Sequence, residues 1–453
     1  MLNDRFLRFA LVFQFVAALT WAEVPGDWPR WRGPFDSGMA RGDAPLKWSD
    51  TENIGWKVAL PGKGNSSPVI WENQIFLTTA IPTGDSASAP AAPADEAGAP
   101  GRRGGPGGGS SGEQPEHRLV VMSIDRRTGK TLWEKTVKTV KPHEGFHQRY
   151  GSFASNTPVT DGKRVWAFFG SNGVFCLDLN GKLIWAKESG VKMKMRLGFG
   201  EGTAPVLDRD SLILNFDHEG ESFIWVLDAA TGKEKWRRPR KEISNWSAPL
   251  VLEHEGVRQV VVSAPTKVIS YDLSNGEVIW EATGLGLNTI PAPVTANGMV
   301  IVMSGFRSPN LLAIRLGRKG DLTGTDAIVW TTTKGTSYTP SPVLYEGKLY
   351  MLTDSGMLSC LDAATGKPYY ERVRLPKAYN FKSSPVGVNG KLYMASENDD
   401  VIVVKMGEKF EVLATNTLAD QSFIATPAFS DGEMYLRSET HLFCIRDKKT
   451  STD

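Results

Sequence analysis

The sequence predicts an all-β fold: an eight-bladed β-propeller of four-stranded antiparallel blades, closed by pairing of the N-terminal strand with the C-terminal blade. Three observations predict it. A motif of a small or polar residue, Pro and an apolar residue recurs eight times along the chain. A second motif, Asp then Gly then an aromatic four residues further on, follows most copies of the first. The last unit stops one strand short, and an unclaimed strand carrying the same aromatic stands near the N-terminus.

The first motif reads Ser67-Pro68-Val69, Thr157-Pro158-Val159, Ala204-Pro205-Val206 and Ala248-Pro249-Leu250. It continues as Ala292-Pro293-Val294, Ser341-Pro342-Val343, Ser384-Pro385-Val386 and Thr426-Pro427-Ala428. Successive prolines lie 42 to 49 residues apart, except the first pair at 90. The second motif runs Asp125 to Trp133, Asp178 to Trp185, Asp228 to Trp236, Asp272 to Trp280 and Asp362 to Tyr370. Blade five reaches Trp330 after a longer Gly-rich turn (315–326), and blade seven turns through Met406-Gly407-Glu408-Lys409. Between the motifs the pattern is strand, tight turn, strand. Asp161-Gly162, Asn297-Gly298, Asn389-Gly390 and Asp431-Gly432 suit two-residue hairpins, where positive φ is needed. Four strands in roughly 45 residues is the blade size of a propeller.

The eighth unit (426–446) has three strands and lacks its Trp strand, while Asn53 to Val58 carries an orphan Trp56. Joining the two completes the blade and removes the last free sheet edges, which would otherwise invite aggregation. Trp56, Trp133, Trp185, Trp236, Trp280, Trp330 and Tyr370 are read as structural, packing between neighbouring blades. Each such ring buries about 150–250 Å².

The segments outside the ring are assigned by composition. Residues 1–22 read as a signal peptide: Arg5 and Arg8 precede an apolar run from Phe9 to Leu19, and Ala22 offers a cleavage position. That run is too short to span a bilayer, which takes about 20 apolar residues. Residues 23–52 form an N-terminal extension packed on the propeller, the propeller occupies 53–446, and 447–453 is a flexible tail. Within blade one, Gly, Ala, Pro and Ser supply 25 of the 34 residues from Thr83 to Glu116. Such a tract cannot bury enough apolar surface to order itself, so 83–116 is read as a disordered insertion. Cys176, Cys360 and Cys444 fall on the third strands of blades that do not adjoin, so they are expected to be buried and unpaired. Net charge is +2, from 52 Lys+Arg against 50 Asp+Glu. No strong field then draws the protein to nucleic acid or anionic membrane.

The runs Val226 to Trp236 and Leu358 to Lys367, with the opening Asp27-Trp28-Pro29-Arg30-Trp31-Arg32-Gly33-Pro34, resemble the pyrroloquinoline-quinone (PQQ)-like repeat propellers of exported bacterial proteins. The resemblance covers about residues 27–446 and implies the fold. It also implies two functional branches. One is the propeller scaffold of the outer-membrane barrel assembly machine. The other comprises quinoprotein dehydrogenases, which hold the quinone and Ca²⁺ in a funnel, with an Asp as base and often a disulfide between adjacent cysteines. This sequence has no adjacent Cys pair, no in-phase Glu, Asn and Asp ligand set, and no lipid-attachment Cys after the apolar run.

Candidate chemistry is sparse. His143-Glu144-Gly145-Phe146-His147 matches the H-E-x-x-H zinc motif, but that chemistry needs both imidazoles on one helix face. Pro142 and Gly145 oppose a helix, so a loop over one propeller face is expected and no metal site or catalytic residue is assigned. That loop, with Arg149, should share a rim with the basic link carrying Lys192, Lys194 and Arg196. The Asp217 to Glu221 cluster falls in a hairpin on the same face. Asn65, Asn245, Asn288 and Asn380, just ahead of Pro motifs, are placed at the channel mouth. Together these form the expected ligand or partner face.

The sequence therefore points to a soluble, exported protein, periplasmic or extracellular. It is read as a monomer acting as a non-catalytic binding or protein-interaction scaffold for a protein or polar ligand, without a cofactor. The alternative is a PQQ-dependent alcohol or sugar oxidoreductase, with PQQ and Ca²⁺. No paired acid and base suggests a carbohydrate-cleaving propeller.

Overall fold

A computed structural model describes residues 27–84 and 114–447. Eight sheets follow one another around a central channel, each built on four antiparallel strands. Blade one comprises Val69–Trp71, Gln74–Pro82, His117–Asp125 and Thr131–Val140. Its innermost strand begins directly after Pro68, and the later blades repeat that arrangement. The ring closes as expected: Ile54–Ala59 is the outer strand of blade eight, antiparallel to His441–Ile445, with Trp56 opposite Cys444. The 83–116 tract leaves the hairpin of the second and third strands, which extends to the Pro82–His117 pair. Residues 85–113, and the assigned signal peptide, lie outside the described residues. Among the described residues no helix is long and apolar enough to cross a membrane.

The Pro motif works through the residue before the proline. Pro lacks an N–H, and the backbone N–H just ahead of it is buried on a short inner strand with no lateral partner in its own sheet. The neighbouring blade supplies one. Ser67 N donates to Thr157 Oγ1 at 2.9 Å, and Thr426 N to Ser67 Oγ at 3.0 Å. Ser384 N donates to Thr426 Oγ1 at 3.1 Å, Ser341 N to Ser384 Oγ at 2.9 Å, and Ala292 N to Ser341 Oγ at 2.9 Å. A belt of hydroxyl contacts thus ties blades five, six, seven, eight, one and two.

Blades three to five carry Ala204, Ala248 and Ala292 at this position and have no hydroxyl to offer. There the N-terminal extension enters the channel. Trp28 bridges Ile70 of blade one, Pro29 O accepts from Thr160 of blade two, and Arg30 reaches Leu207 O of blade three. Arg30, Trp31 and Arg32 lie against the Ala-Pro pairs of blades three to five. The buried Arg32 guanidinium donates to Pro342 O and Pro385 O. Met39–Ala40 then adds a parallel fifth strand inside blade seven. Residues 28–40 of the extension thus cross the channel as a plug, and residues 43–48 pack on blade seven.

The outer strands dock by one repeated contact. Trp56, Trp133, Trp185, Trp236 and Trp330 each donate Nε1–H to a carbonyl in the following blade: Arg126, Leu179, Ala229, Leu273 and Ala363, at 2.9–3.2 Å. Each ring covers the glycine of that blade's turn, where an added Cβ would come within 2.5–2.7 Å of the ring. Trp280 departs from the pattern. Blade five has no Asp–Gly turn to receive it, so its N–H goes to Gln259 of its own blade, and Gly320–Asp321 pairs alongside as a fifth strand. Tyr370 faces the degenerate turn of blade seven and meets Phe410 edge-on at 6.0 Å. Blade seven has no outer-strand aromatic; Trp48 from the extension stacks on its Tyr393 instead.

The three cysteines are free and buried. Burial pushes the thiols of Cys176 and Cys444 up to about 12 and that of Cys360 to about 11. They pack as small apolar side chains.

Two substitutions test these contacts by denaturant unfolding. Ser384→Ala leaves the buried Ser341 N–H without an acceptor and is expected to cost about 1–3 kcal/mol. Gly366→Ala should cost about 1–3 kcal/mol more than Gly298→Ala. Both glycines have positive φ, but only Gly366 lies under a Trp ring.

Candidate functional site

One end of the channel opens into a funnel of about 420 Å³, floored by the plug residue Trp31. Its walls are loops that precede the inner strands and loops that cap hairpins, so they come from blades far apart in sequence. Aromatic rings dominate. His147 stacks on Tyr150 at 4.6 Å and meets Phe199 at 5.2 Å; Phe306 stacks on Tyr338 at 5.2 Å. Trp246 is fixed by its N–H to Gly200 O at 2.9 Å. Arg196, Arg307 and Lys382 bring positive charge, and Glu201 is the one carboxylate among the lining residues.

The funnel wall holds residues in the left-handed region. Leu197, Asn288 and Arg307 line it with φ of 53, 55 and 56°. Side chains other than Gly, Asn and Asp adopt this region at a cost, and such strain clusters at binding sites. Asn288 donates Nδ2–H to Tyr338 OH at 3.3 Å, while its buried Oδ1 has no partner.

The residues expected at this face separate into three groups. Asn65, His147, Arg196 and Asn288 line the funnel. His143 and Arg149 flank it: His143 lines a small adjoining cavity, and Arg149 makes a 3.1 Å ion pair with Glu397 of blade seven. Asn245 and Asn380 are elsewhere. Asn245 is buried, donating to Asp217 Oδ2 and Ser263 O, and Asn380 is an exposed residue in a turn that receives Glu397 N. Lys192 and Lys194 point to solvent, because the alternating Met193 and Met195 are buried.

The Asp217 to Glu221 cluster is dispersed by its partners. Asp217 forms a wholly buried ion pair with Arg240 at 2.7 Å, His218 Nδ1 accepts from Lys194 N, and Glu219 accepts from Ser244. The H-E-x-x-H stretch is not helical. His147 Nδ1 accepts from Tyr150 N, while His143 Nε2 donates to Met193 O at 2.7 Å, so the two imidazoles serve different contacts.

Lys382, Tyr338, Phe306, Arg307 and Trp246 went unassigned in the sequence. Lys382 and Trp246 each stand three residues ahead of a motif proline, the place Asn65 holds in blade one. Lys382 Nζ pairs with Asp354 at 2.6 Å and sits over the Tyr150 ring at 4.6 Å. The 143–150 loop is strapped across the mouth by these contacts and by Asn65 Nδ2 to Tyr150 O at 2.6 Å. Burial, then the cations Lys382, Arg149 and Lys63, holds the His147 imidazole below its ordinary value. Burial pushes Glu201 up to about 7, against two hydrogen bonds from Ser171.

The family described as outer membrane protein assembly factor BamB matches residues 117–368 and 318–408, more than half of the chain. No curated protein matches it. Among solved structures, BamB from Moraxella catarrhalis is similar at 11% identity and TM-score 0.57, over 88% of this chain and 98% of that one. Quinohemoprotein alcohol dehydrogenase from Comamonas testosteroni is similar at 11% identity and TM-score 0.62, over 94% of this chain and 82% of that one. A europium-containing methanol dehydrogenase is similar at 10% identity and TM-score 0.63, over 94% and 98%. At these identities the likeness is one of fold.

The depressed imidazole has a testable sign. A folded pKa below the unfolded value of about 6.5 stabilises the protein above that value, and the contribution is lost as pH falls through it. The melting temperature of His147→Gln, relative to wild type, should therefore rise as pH is lowered from about 7.5 to about 5.5. A difference independent of pH would contradict a neutral, half-buried His147.

Proposed function

Because the chain belongs to the BamB-described family of PQQ-like repeat propellers, we propose that it is a non-catalytic binding scaffold that works in the periplasm and takes its partner at the funnel face. The observation that carries this reading is the funnel lining, in which the rings of Tyr150, Phe199, Trp246, Phe306 and Tyr338 stand with the cations Arg196, Arg307 and Lys382. Such a wall suits a partner group that is partly apolar and carries negative charge.

One observation favours the second reading, a quinone-dependent oxidoreductase: aromatic and cationic walls also suit a planar anion. When bound, the quinone would supply hydride or electron acceptance and Ca²⁺ would polarise it. The donors do not fit the metal. Ca²⁺ takes 6–8 oxygen ligands, commonly with several carboxylates. The funnel lining offers one carboxylate, Glu201. Asp354 is committed to Lys382 and Thr339. That set falls short of a Ca²⁺ shell, so no oxidation step is derived.

Cross-linking with mass spectrometry in periplasmic extract tests the scaffold reading. Cross-links should concentrate on the 143–150 and 196–201 loops, and the double substitution Arg196→Glu/Arg307→Glu should reduce partner recovery roughly tenfold without lowering the melting temperature. Dye-coupled alcohol oxidation after loading with PQQ and Ca²⁺ would overturn it.

A further inference from the structure

Next to the funnel, a second cavity of about 30 Å³ is lined by His143, Glu144 and Glu201. That is room for one water-sized occupant. Each of the three residues presents one donor atom, and these atoms all lie within 4.8 Å of one another. His143 and Glu144 come from the link between blades one and two, and Glu201 from the link between blades two and three. His143 Nε2 is 3.8 Å from Glu201 Oε1.

We propose that His143, Glu144 and Glu201 form a site for a divalent transition cation, of the Zn²⁺ or Mn²⁺ class, which clips the two links together.

Two independent features point to a cation. The first is charge. Two half-buried carboxylates face each other, and among the described residues no Lys or Arg nitrogen is ion-paired with either. Lys192 and Lys194 act on them only at a distance. Their hydrogen bonds come from neutral donors: Met195 N to Glu144 at 3.1 Å and Ser171 to Glu201. Facing carboxylates repel unless a proton or cation lies between them. The second feature is the donor set. One imidazole nitrogen and two carboxylate oxygens, brought within reach of solvent by the exposed His143, suit Zn²⁺ or Mn²⁺ with water completing the shell.

The arrangement differs from the protease reading of the same five residues. There Glu144 would be a base between two imidazoles. Here Glu144 is a ligand, and His147 is excluded because its Nδ1 accepts from Tyr150 N. Nε2 of His143 donates to Met193 O. Coordination through Nε2 replaces that proton, which moves to Nδ1, and breaks the bond to Met193. Glu201 also lines the funnel, so a bound cation would stiffen the wall that carries Phe199. The site stands independently of the scaffold reading, which rests on the aromatic and cationic lining of the funnel.

Calorimetry on the full chain, free of affinity tags and stripped by chelator, decides the matter with Zn²⁺ and Mn²⁺ as probes. One equivalent should bind and raise the melting temperature. Glu144→Gln, Glu201→Gln and His143→Ala should each weaken binding roughly tenfold or more, while His147→Ala leaves it unchanged. Retained melting transitions of the metal-free variants show that they fold. A Co²⁺-loaded sample reports the same ligands through its visible absorption, which should change in His143→Ala. No heat with either metal, or equal affinity in the Glu144→Gln/Glu201→Gln double variant, would overturn the site.

Discussion

A hydroxyl on one blade accepting the backbone N–H of the preceding blade is the contact on which the ring depends. Inner strands of a propeller are short and crowded, and the proline that starts each removes one donor but leaves the donor before it buried. Within a single sheet that group has no acceptor. Ser67, Thr157, Ser341, Ser384 and Thr426 solve the problem between blades, so a blade is complete only when its neighbour is in place. The belt explains why the motif carries Ser or Thr there, and the alanine positions mark where another element comes in. At Ala204, Ala248 and Ala292 the missing side-chain volume is met by the Arg30–Arg32 segment.

That plug links architecture to function. With Trp31 across the axis, the opening is a funnel with a floor and two kinds of wall, aromatic and cationic. The outer Trp-on-Gly docking fixes the angle between blades, and the fixed angle brings links far apart in sequence to one mouth. Arg149 of the link after blade one reaches Glu397 of blade seven because closure sets blade eight between them, with no long loop involved. Glu397 is buried, and its charge is tolerated because Arg149 and Lys382 approach it from the funnel side.

Polar residues were harder to place than strands. Asn245 and Asn288 both stand shortly before the inner strands of consecutive blades, yet one bonds Asp217 and the other lines the cavity. The difference is Arg240: its buried guanidinium needs Asp217, and Asp217 in turn engages Asn245. A pairwise requirement of that kind spans blades and leaves no local trace. The H-E-x-x-H string shows the converse. Its residues invite a helical zinc site, but Pro142 and Gly145 prevent the helix, and the neighbours that matter come from residues 171 to 201.

The sequence alone determined the number of blades, their phase, the closing strand and the docking aromatics. Each of these repeats at short range: alternation within strands, glycine where φ is positive, and an aromatic at constant distance from it. Only the tertiary structure decided that residues 28 to 40 thread the axis, that the Trp280 N–H bonds within its own blade, and which polar side chains ahead of the inner strands line the funnel. Those outcomes depend on closure, which makes neighbours of residues hundreds of positions apart, and on buried charges that choose partners by geometry rather than by spacing.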